Sequence, residues 1–453
     1  MQLSSRLRLA LAGSALVITV AALAVPWYSS RTLAAEVREL ASAHARGNLR
    51  IRNLAHEAGW LQSAGRLDLE WRNQCAGDPE EPTVVHVEYS AQHVPDLQGL
   101  TRFAWSAAPA GSATAGVQQL LQGDKLTGTG RAAYDGTFST DMALPELVIT
   151  ADGQRLQITP SQGRLVLGEK ALRLDWAVER MALRGQGRDV EAKQIRIEAD
   201  LQDRVRGTGR VALDIDSMSA ADLLVQGLRL SSETSERADR LDSRVTESVR
   251  SVQFMGQSLK NLVLQAEVKG LHTASVQSIS KVFGDSCGLQ NTTAEEKLLL
   301  RTALKKLLAS GLTVGIPTLQ GSAHEGGLDA ALQVTLAPAQ GDAVLLANQL
   351  SSSGHIQIKG ALMPPDQKAF ALSTGYVNEL PDGVQAAFEY GGGVLKVSGK
   401  TLDAAMVQLG LQKLDAWLNA FLAGESLALP EEEPPAVAPS EAPTPAPVVA
   451  PAS

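Results

Sequence analysis

Apolar and polar side chains alternate with a period of two over much of the chain, starting near Gly65. Leu67, Leu69 and Trp71 are separated by charged residues, and the same alternation recurs at residues 85–89, 172–178, 195–197, 211–215 and 262–268. Turn-forming pairs such as Asp135-Gly136 stand between these runs. One apolar and one polar face per strand is typical of antiparallel sheets. The pattern predicts a β-dominated α+β fold, built on an extended, curled antiparallel sheet with a few helices.

Two stretches have helical periodicity instead. Residues 293–310 carry a leucine stripe, begin with Thr293 and Glu296 at capping-box spacing, and end at Gly311. Residues 402–422 carry a second stripe and end before Gly424. A third stretch, 231–250, fits either a helix or a strand, because its apolar residues share one face in both.

The N-terminus has the pattern of a signal anchor. Arg6 and Arg8 precede an uncharged stretch, and its apolar part, 9–25, is followed by the interfacial residues Trp27 and Tyr28. This run can span a hydrocarbon layer of roughly 30 Å, with the N-terminus in the cytoplasm. The alternative is a signal peptide cleaved at an Ala-x-Ala-like site, 22–24. We predict an uncleaved transmembrane helix within 1–30.

Four regions follow from these patterns. After the anchor (1–30) come a membrane-proximal helix and linker (31–62), with a short helix at 33–44, and an extracytoplasmic β-rich part of one or more domains (63–424). The last region, 425–453, is rich in Pro, Ala and Glu. Such a composition cannot build a core, so we predict a disordered tail.

Composition excludes several classes of protein. Acidic residues outnumber basic ones by 49 to 41, which argues against nucleic acid as a partner. Residues 393–401 end like a phosphate-binding loop, but the spacing requires glycine where Val394 stands. The Gly391–Gly393 run before it favours a β-hairpin instead.

Residues that could carry chemistry are scattered. The seven histidines lack metal-ligand spacing, and His86, Glu88 and His93 form the nearest approach to a cluster. We therefore assign no catalytic residue, metal site or cofactor, and we predict a non-enzymatic protein. Cys75 and Cys287 either form a disulfide, as is common in an oxidising compartment, or remain two unpaired thiols.

The order of short motifs resembles that of the YdgA/YihF type of bacterial envelope proteins. The matching segments are Gly59-Trp60-Leu61-Gln62-Ser63, the helix-ending Ser310-Gly311 with the strand after it, and the 388–402 hairpin region. His93-Val94-Pro95 stands where these relatives often have His-Gly-Pro. The resemblance implies a bacterial inner-membrane protein with its bulk in the periplasm. It also implies that 231–250 is strand, and it supplies no catalytic residues.

Many strands and few helices leave apolar sheet surface to be covered. The sheet must close on itself, pair with a second copy, or hold a lipid or protein partner; closure is the simplest outcome. If a ligand is held, Leu172, Leu174, Leu213 and Ile215 should line its site. The predicted function is a non-enzymatic, membrane-anchored envelope protein that binds a partner or lipid through its long sheet. The alternatives are a structural or adaptor homodimer, and a hydrolase whose site forms only on folding.

Overall fold

A computed structural model describes most of the chain. The described residues are 31, 33, 35, 49–71, 83–110, 125–151, 154–185, 189–286, 292–323, 326–339, 344–360, 362–403 and 405–424. They form 22 strands and five helices, so the prediction of a β-dominated fold with one large antiparallel sheet is confirmed.

The strands lie in two stretches of chain, and two helices between residues 273 and 309 separate the first stretch from the second. The first fifteen are β1 Leu49–Glu57, β2 Gln62–Trp71, β3 Thr83–Gln92, β4 Thr101–Ala110, β5 Leu126–Ala132, β6 Phe138–Leu144, β7 Leu147–Ala151, β8 Gln154–Ile158, β9 Ser161–Leu167, β10 Leu172–Arg184, β11 Val190–Asp203, β12 Thr208–Ala220, β13 Leu223–Arg237, β14 Arg240–Phe254 and β15 Gln257–His272. The remainder are β16 Leu312–Ala323, β17 Gly326–Leu336, β18 Leu350–Gly360, β19 Asn378–Leu380, β20 Gly383–Gly391, β21 Val394–Val397 and β22 Lys400–Leu402.

Nearly all of these strands pair with their neighbours in sequence. The continuous path runs from β1 to β6, then to β9, along β9–β18 in order, and on to β20, β21 and β22. The β7–β8 hairpin pairs with the second half of β10, beside β9. Consecutive hairpins explain why strict alternation in the sequence was a reliable guide, because each strand is antiparallel to the next.

The helices are α1 Thr273–Ser286, α2 Ala294–Ala309, α3 Leu346–Gln349, α4 Pro365–Ser373 and α5 Ala405–Ala423. The two predicted helices correspond to α2 and α5. Thr293 caps α2 through a reciprocal capping box with Glu296, as its spacing predicted. The sequence did not predict α1, which continues directly from β15.

The helices pack mainly on one another. The Asp415 carboxylate on α5 accepts hydrogen bonds from the Leu346 and Ala347 amides at the start of α3, at 2.6 and 3.3 Å. Asn419 holds Val344 through both of its backbone groups. Because α1 and α2 contact the sheet chiefly at β15, the five described helices leave most of the described sheet surface uncovered.

Several predictions are corrected or completed by the fold. The sheet begins at Leu49, inside the 31–62 region that was assigned to a helix and linker, because β1 pairs with β2 through Ile51 opposite Leu69. Residues 231–250 are strand, as the resemblance implied, and they form parts of β13 and β14. The 393–401 segment contains β21 and the tight turns on either side of it, with Gly392 and Gly393 at positive φ in the first turn.

Other predictions concern parts of the chain outside the described residues. These are the anchor helix at 1–30, Cys75, Cys287 and the 425–453 tail. Within the described residues, no helix has both the length and the apolar character that a membrane span requires.

Closure of the sheet on itself was the simplest expectation, and the described strands do not close into a hydrogen-bonded barrel. The terminal strands β1 and β22 pair only with β2 and β21. Strands make extensive backbone contacts only with their hydrogen-bonded partners. The sheet is therefore an open ribbon of strands rather than a barrel.

Candidate functional site

The residues proposed to line a ligand site lie together on one side of the sheet. Leu172 and Leu174 on β10 alternate with the charged residues of that strand, and Leu213 and Ile215 do the same on β12. The register places them on the same side, because β11 lies between the two strands and pairs Ile197 with Leu213 and with Trp176. All four are half-buried. We call this side, from β10 to β20, the apolar face.

One line of residues on the apolar face is aliphatic on nine of ten strands, with glycine on the tenth. Its members are directly opposite one another, or in contact where a bulge interrupts β15 and β16. At that bulge, Leu262 Cδ2 lies 2.7 Å from where a Cβ on Gly321 would be. We call this line the aliphatic row: Val178, Ile195, Ile215, Leu228, Val249, Leu262, Gly321, Leu328, Ile358 and Val384.

The apolar face is open to solvent among the described residues. The next positions along the strands, beside the aliphatic row, include Ile197, Leu230, Leu264, Leu319 and Ile356, with exposed fractions of 36–42%. Side chains of this size in a closed core are normally below a tenth exposed. A second layer formed by the described residues therefore does not cover this part of the face.

The opposite side of the same strands is charged. A ladder of alternating sign crosses six strands through directly opposite residues, which are Arg173, Asp200, Arg210, Glu233, Arg244 and Glu267. Its two ends are ion pairs, with Arg173 Nε 3.1 Å from Asp200 Oδ1 and Arg244 Nη2 3.2 Å from Glu267 Oε2. Opposite charges at paired positions stabilise the strand pairing. The ladder residues are exposed to solvent except for Glu267, which is buried.

The apolar residues change sides within each strand from β10 to β15. Each of these strands has a second apolar residue three positions from its aliphatic-row residue. Because the spacing is odd, this second residue lies on the other side of the sheet. The pairs are 178/181, 192/195, 215/218, 225/228, 249/252 and 259/262. We call this boundary the polarity switch. It gives the sheet a second apolar patch, on the opposite side, beyond the boundary.

Left-handed backbone marks the polarity switch on alternate strands. Gln194, Gly227 and Asn261 have φ of 52°, 63° and 52°, on β11, β13 and β15. In the strand pairings, none of these three residues has a directly opposite partner, whereas the residues on both sides of each one do. Positive φ is unfavourable for most residues with a Cβ, so Gln194 holds a strained conformation at this boundary, whereas asparagine, as at position 261, tolerates it better. The sequence signal was present as a three-residue spacing, but each run had been treated as a separate strand.

A buried polar chain lies near the other end of the sheet. Ser63 Oγ on β2 is 2.7 Å from His93 Nε2, and His93 Nδ1 is 3.2 Å from Thr101 Oγ1 on β4. Burial, together with the nearby His56, lowers the pKa of His93. A neutral imidazole has one donor and one acceptor nitrogen, so one hydroxyl donates to it and the other accepts.

The Ser63–His93–Thr101 hydrogen-bond chain contains a hydroxyl and an imidazole, the groups that serve as nucleophile and base in hydrolases. Because it is buried, a substrate cannot reach it. His93 is fully buried and Ser63 nearly so, and the His93 amide donates to the Leu61 carbonyl at 2.8 Å. The arrangement fixes the β2, β3 and β4 ends relative to one another. The sequence had singled out Ser63 and His93 separately, and the structure brings them together.

The His86 region is a cluster of polar and charged side chains. His86 Nδ1 is 2.7 Å from Asp68 Oδ1, and its Nε2 is 3.7 Å from Glu88 Oε1. Lys125 Nζ pairs with Glu88 at 2.9 Å, and His93 takes no part in the cluster. Across the described residues, His, Cys, Asp and Glu side chains do not form any group of three placed to hold a metal ion.

Comparison with known proteins gives a family but no activity. Residues 8–365 match the family model described as bacterial protein of unknown function, DUF945. Because this match covers most of the chain, the chain belongs to that family. No curated protein and no solved structure matched the chain.

Proposed function

We propose that this member of the DUF945 family is a non-enzymatic bacterial envelope protein that binds lipid on its apolar face. The proposal includes an uncleaved N-terminal helix in the inner membrane, with the sheet in the periplasm. Arg6 and Arg8 before the uncharged stretch 9–30 support that orientation. The more specific likeness to the YdgA/YihF type agrees with this location.

The observation that carries the proposal is the aliphatic row, which crosses ten adjacent strands and is partly exposed from β10 to β18, with only Val384 on β20 fully buried. Strands lie about 4.8 Å apart, so the row is roughly 43 Å long. The largest apolar patch of a typical monomer is about 300–600 Å² and is often functional. A surface of this length and continuity favours an extended apolar ligand over a single small molecule, and acyl chains have that shape.

A test compares the lipid content of variants on the two sides of one strand. Leu230→Arg places a charge on the apolar face of β13, at a residue that is 40% exposed and can tolerate a longer side chain. Ser235→Arg is the matched control, because Ser235 is exposed on the charged side of the same strand. Full-length protein is purified in mild detergent, and its bound lipids are quantified by mass spectrometry.

The expected result is lipid bound to the wild type and to Ser235→Arg, and a loss of most of that lipid in Leu230→Arg. Circular dichroism must show that all three proteins are folded. Lipid-free wild type, or unchanged lipid in Leu230→Arg, would reject the proposal. A wild-type dimer that Leu230→Arg converts to monomers, without bound lipid, would show instead that the face pairs with a second copy.

The anchor is tested separately by N-terminal sequencing of the mature protein. An intact N-terminal segment is expected. A mature chain beginning at Val25 would show cleavage after the Ala-x-Ala-like site and would reject the anchor.

A further inference from the structure

The apolar face is bordered, on the same side of the sheet, by a basic strip. Beyond the polarity switch, the next residues on this side are polar: Arg180, Lys193, Ser217, Gln226, Ser251 and Lys260 form one line of directly opposite residues. Arg180 is two positions from Val178 on β10, a distance of about 6.6 Å along a strand. A single surface is therefore aliphatic on one side of the boundary and polar on the other.

Basic residues dominate this strip near β8, β10 and β11. Arg184 lies directly opposite Arg155 on β8, and both are exposed. Glu191 pairs with Arg180 and, at 3.5 Å, with Lys193. Arg155, Arg184 and Lys260 form no ion pair with any described residue. We call these six residues the basic strip: Arg155, Arg180, Arg184, Glu191, Lys193 and Lys260.

The basic strip differs from the ladder on the charged face in its net charge. The ladder on the charged face alternates, with three basic and three acidic residues. The strip has five basic side chains and one acidic one. Like charges directly opposite each other, as at Arg155 and Arg184, destabilise a strand pair. An anion bound there removes that repulsion, and the pairing is therefore complementary to a negatively charged ligand.

We propose that the lipid is an anionic phospholipid, with its acyl chains along the aliphatic row and its phosphate on the basic strip. This inference rests on the proposed function and specifies its ligand. The phosphate lies among Arg155, Arg180, Arg184 and Lys193, next to Val178 and Ile195 at the start of the row. Guanidinium groups suit a phosphate, since their donors bind its oxygens in pairs.

An uncharged or zwitterionic lipid fits this surface less well. Its acyl chains would cover the aliphatic row equally, but it would bring no net negative charge to the basic strip. Covering exposed cations without a counter-charge removes their hydration and is unfavourable. The geometry therefore selects for the charge of the head group as well as for the acyl chains.

The test measures binding of two defined lipids to full-length protein in detergent micelles. The probes are phosphatidylglycerol and phosphatidylcholine with identical acyl chains, titrated at low and moderate salt. The double variant Arg184→Gln with Lys193→Gln removes two of the five positive charges of the strip. Arg173→Gln is the control, since Arg173 is an exposed residue of β10 on the charged face.

The wild type should bind phosphatidylglycerol about tenfold more tightly than phosphatidylcholine, a preference that corresponds to one or two charge-assisted contacts. The double variant should lose that preference while its affinity for phosphatidylcholine is unchanged, and Arg173→Gln should behave like the wild type. The preference should weaken at higher salt.

Failure of this inference can be told apart from failure of the proposed function. Equal binding of both lipids, with loss of both in Leu230→Arg, would reject the anionic ligand and leave the apolar face as the lipid site. Absence of binding of either lipid to the wild type would reject both proposals. An unchanged preference in the double variant would reject the basic strip as the phosphate site.

Discussion

Arg250 on β14 lies across Gly227 on β13 and approaches Asp216 on β12, with its Nη2 3.9 Å from Asp216 Oδ1. Gly227 has φ of 63°, and a Cβ there would lie 3.0 Å from the Arg250 Cβ. Glycine is required at this position for two reasons: the left-handed backbone, and the side chain that lies over it. All three residues lie at the polarity switch, so this contact joins three strands at the boundary between the apolar and the polar parts of the sheet.

Gly227→Ala should lower the free energy of unfolding by about 1–2 kcal/mol from the left-handed backbone alone, with a further loss from crowding against Arg250. Urea denaturation measures the change. Gly256→Ala is the matched control, because Gly256 has φ of 81° but nothing within 4 Å of its added methyl group. The double change Gly227→Ala with Arg250→Ala should recover the part of the crowding that comes from the Arg250 Nε and Nη2, while the contact with the Cβ of residue 250 remains. Equal losses in the two single variants would show that Arg250 does not constrain this site.

Gln194 holds a left-handed conformation without the freedom of glycine. Gln194→Gly should raise the stability or leave it unchanged, because relief of about 1–2 kcal/mol of backbone strain offsets the greater entropy of glycine in the unfolded chain. The control is Gln162→Gly on β9, an exposed residue that is not among those at positive φ, where a loss of about 0.5–1 kcal/mol is expected. Thermal melts distinguish the two, and similar losses at both sites would contradict strain at Gln194.

The strands were predictable because their pattern is local. Leu213 and Ile215 alternate with charged residues, and hairpin connections make each such run pair with the next one. Thr293 and Glu296 likewise predicted the start of α2 from a contact three residues apart. In both cases, the residues that determine the structure are close together in the chain.

The site needed information that is not local. Whether Val178 and Leu262 belong to one row depends on the register of five successive strand pairs, and a shift of one residue in any of them would move a side chain to the other side. The meeting of Ser63 with His93 depends on the β2–β3 register in the same way. The polarity switch could have been found by comparing the spacing across all six strands.

Glu267 is the buried end of the charged ladder, with 8% of its surface exposed. Lys269, at 2.5 Å, and Arg244 stabilise its charge and keep its pKa below the usual value. Glu267→Gln should therefore lower the stability at pH 7 by about 1–3 kcal/mol. Glu233→Gln, at an exposed ladder position, should change the stability by about 0.5 kcal/mol or less.

The contribution of Glu267 should also depend on pH. A depressed carboxyl pKa stabilises the fold above the unfolded pKa, so the difference between wild type and Glu267→Gln should shrink as the pH falls below about 4.5. A difference that persists at pH 3 would contradict this.

His93 should make the fold sensitive to mild acid. Its pKa is lowered in the folded protein by burial and by the nearby His56, so the unfolded chain takes up a proton at a higher pH than the folded chain. Stability is then complete above the unfolded pKa of about 6.5 and decreases as the pH falls below it. The limiting slope for one proton is about 1.4 kcal/mol per pH unit. Urea denaturation between pH 7.5 and 5 measures this slope.

His93→Gln separates the titration of His93 from its structural role. A glutamine amide can donate to one hydroxyl and accept from the other, but it does not titrate. The variant should be less stable than the wild type at pH 7.5, because the ring no longer fills the space between Ser63 and Thr101. Between pH 6.5 and 5, its stability should fall less steeply, so the two curves should converge. Parallel curves would show that another group causes the sensitivity to acid. Since His93 joins β2 to β4 while the lipid face lies on β10 to β20, lipid bound at pH 7.5 should be the same in both proteins.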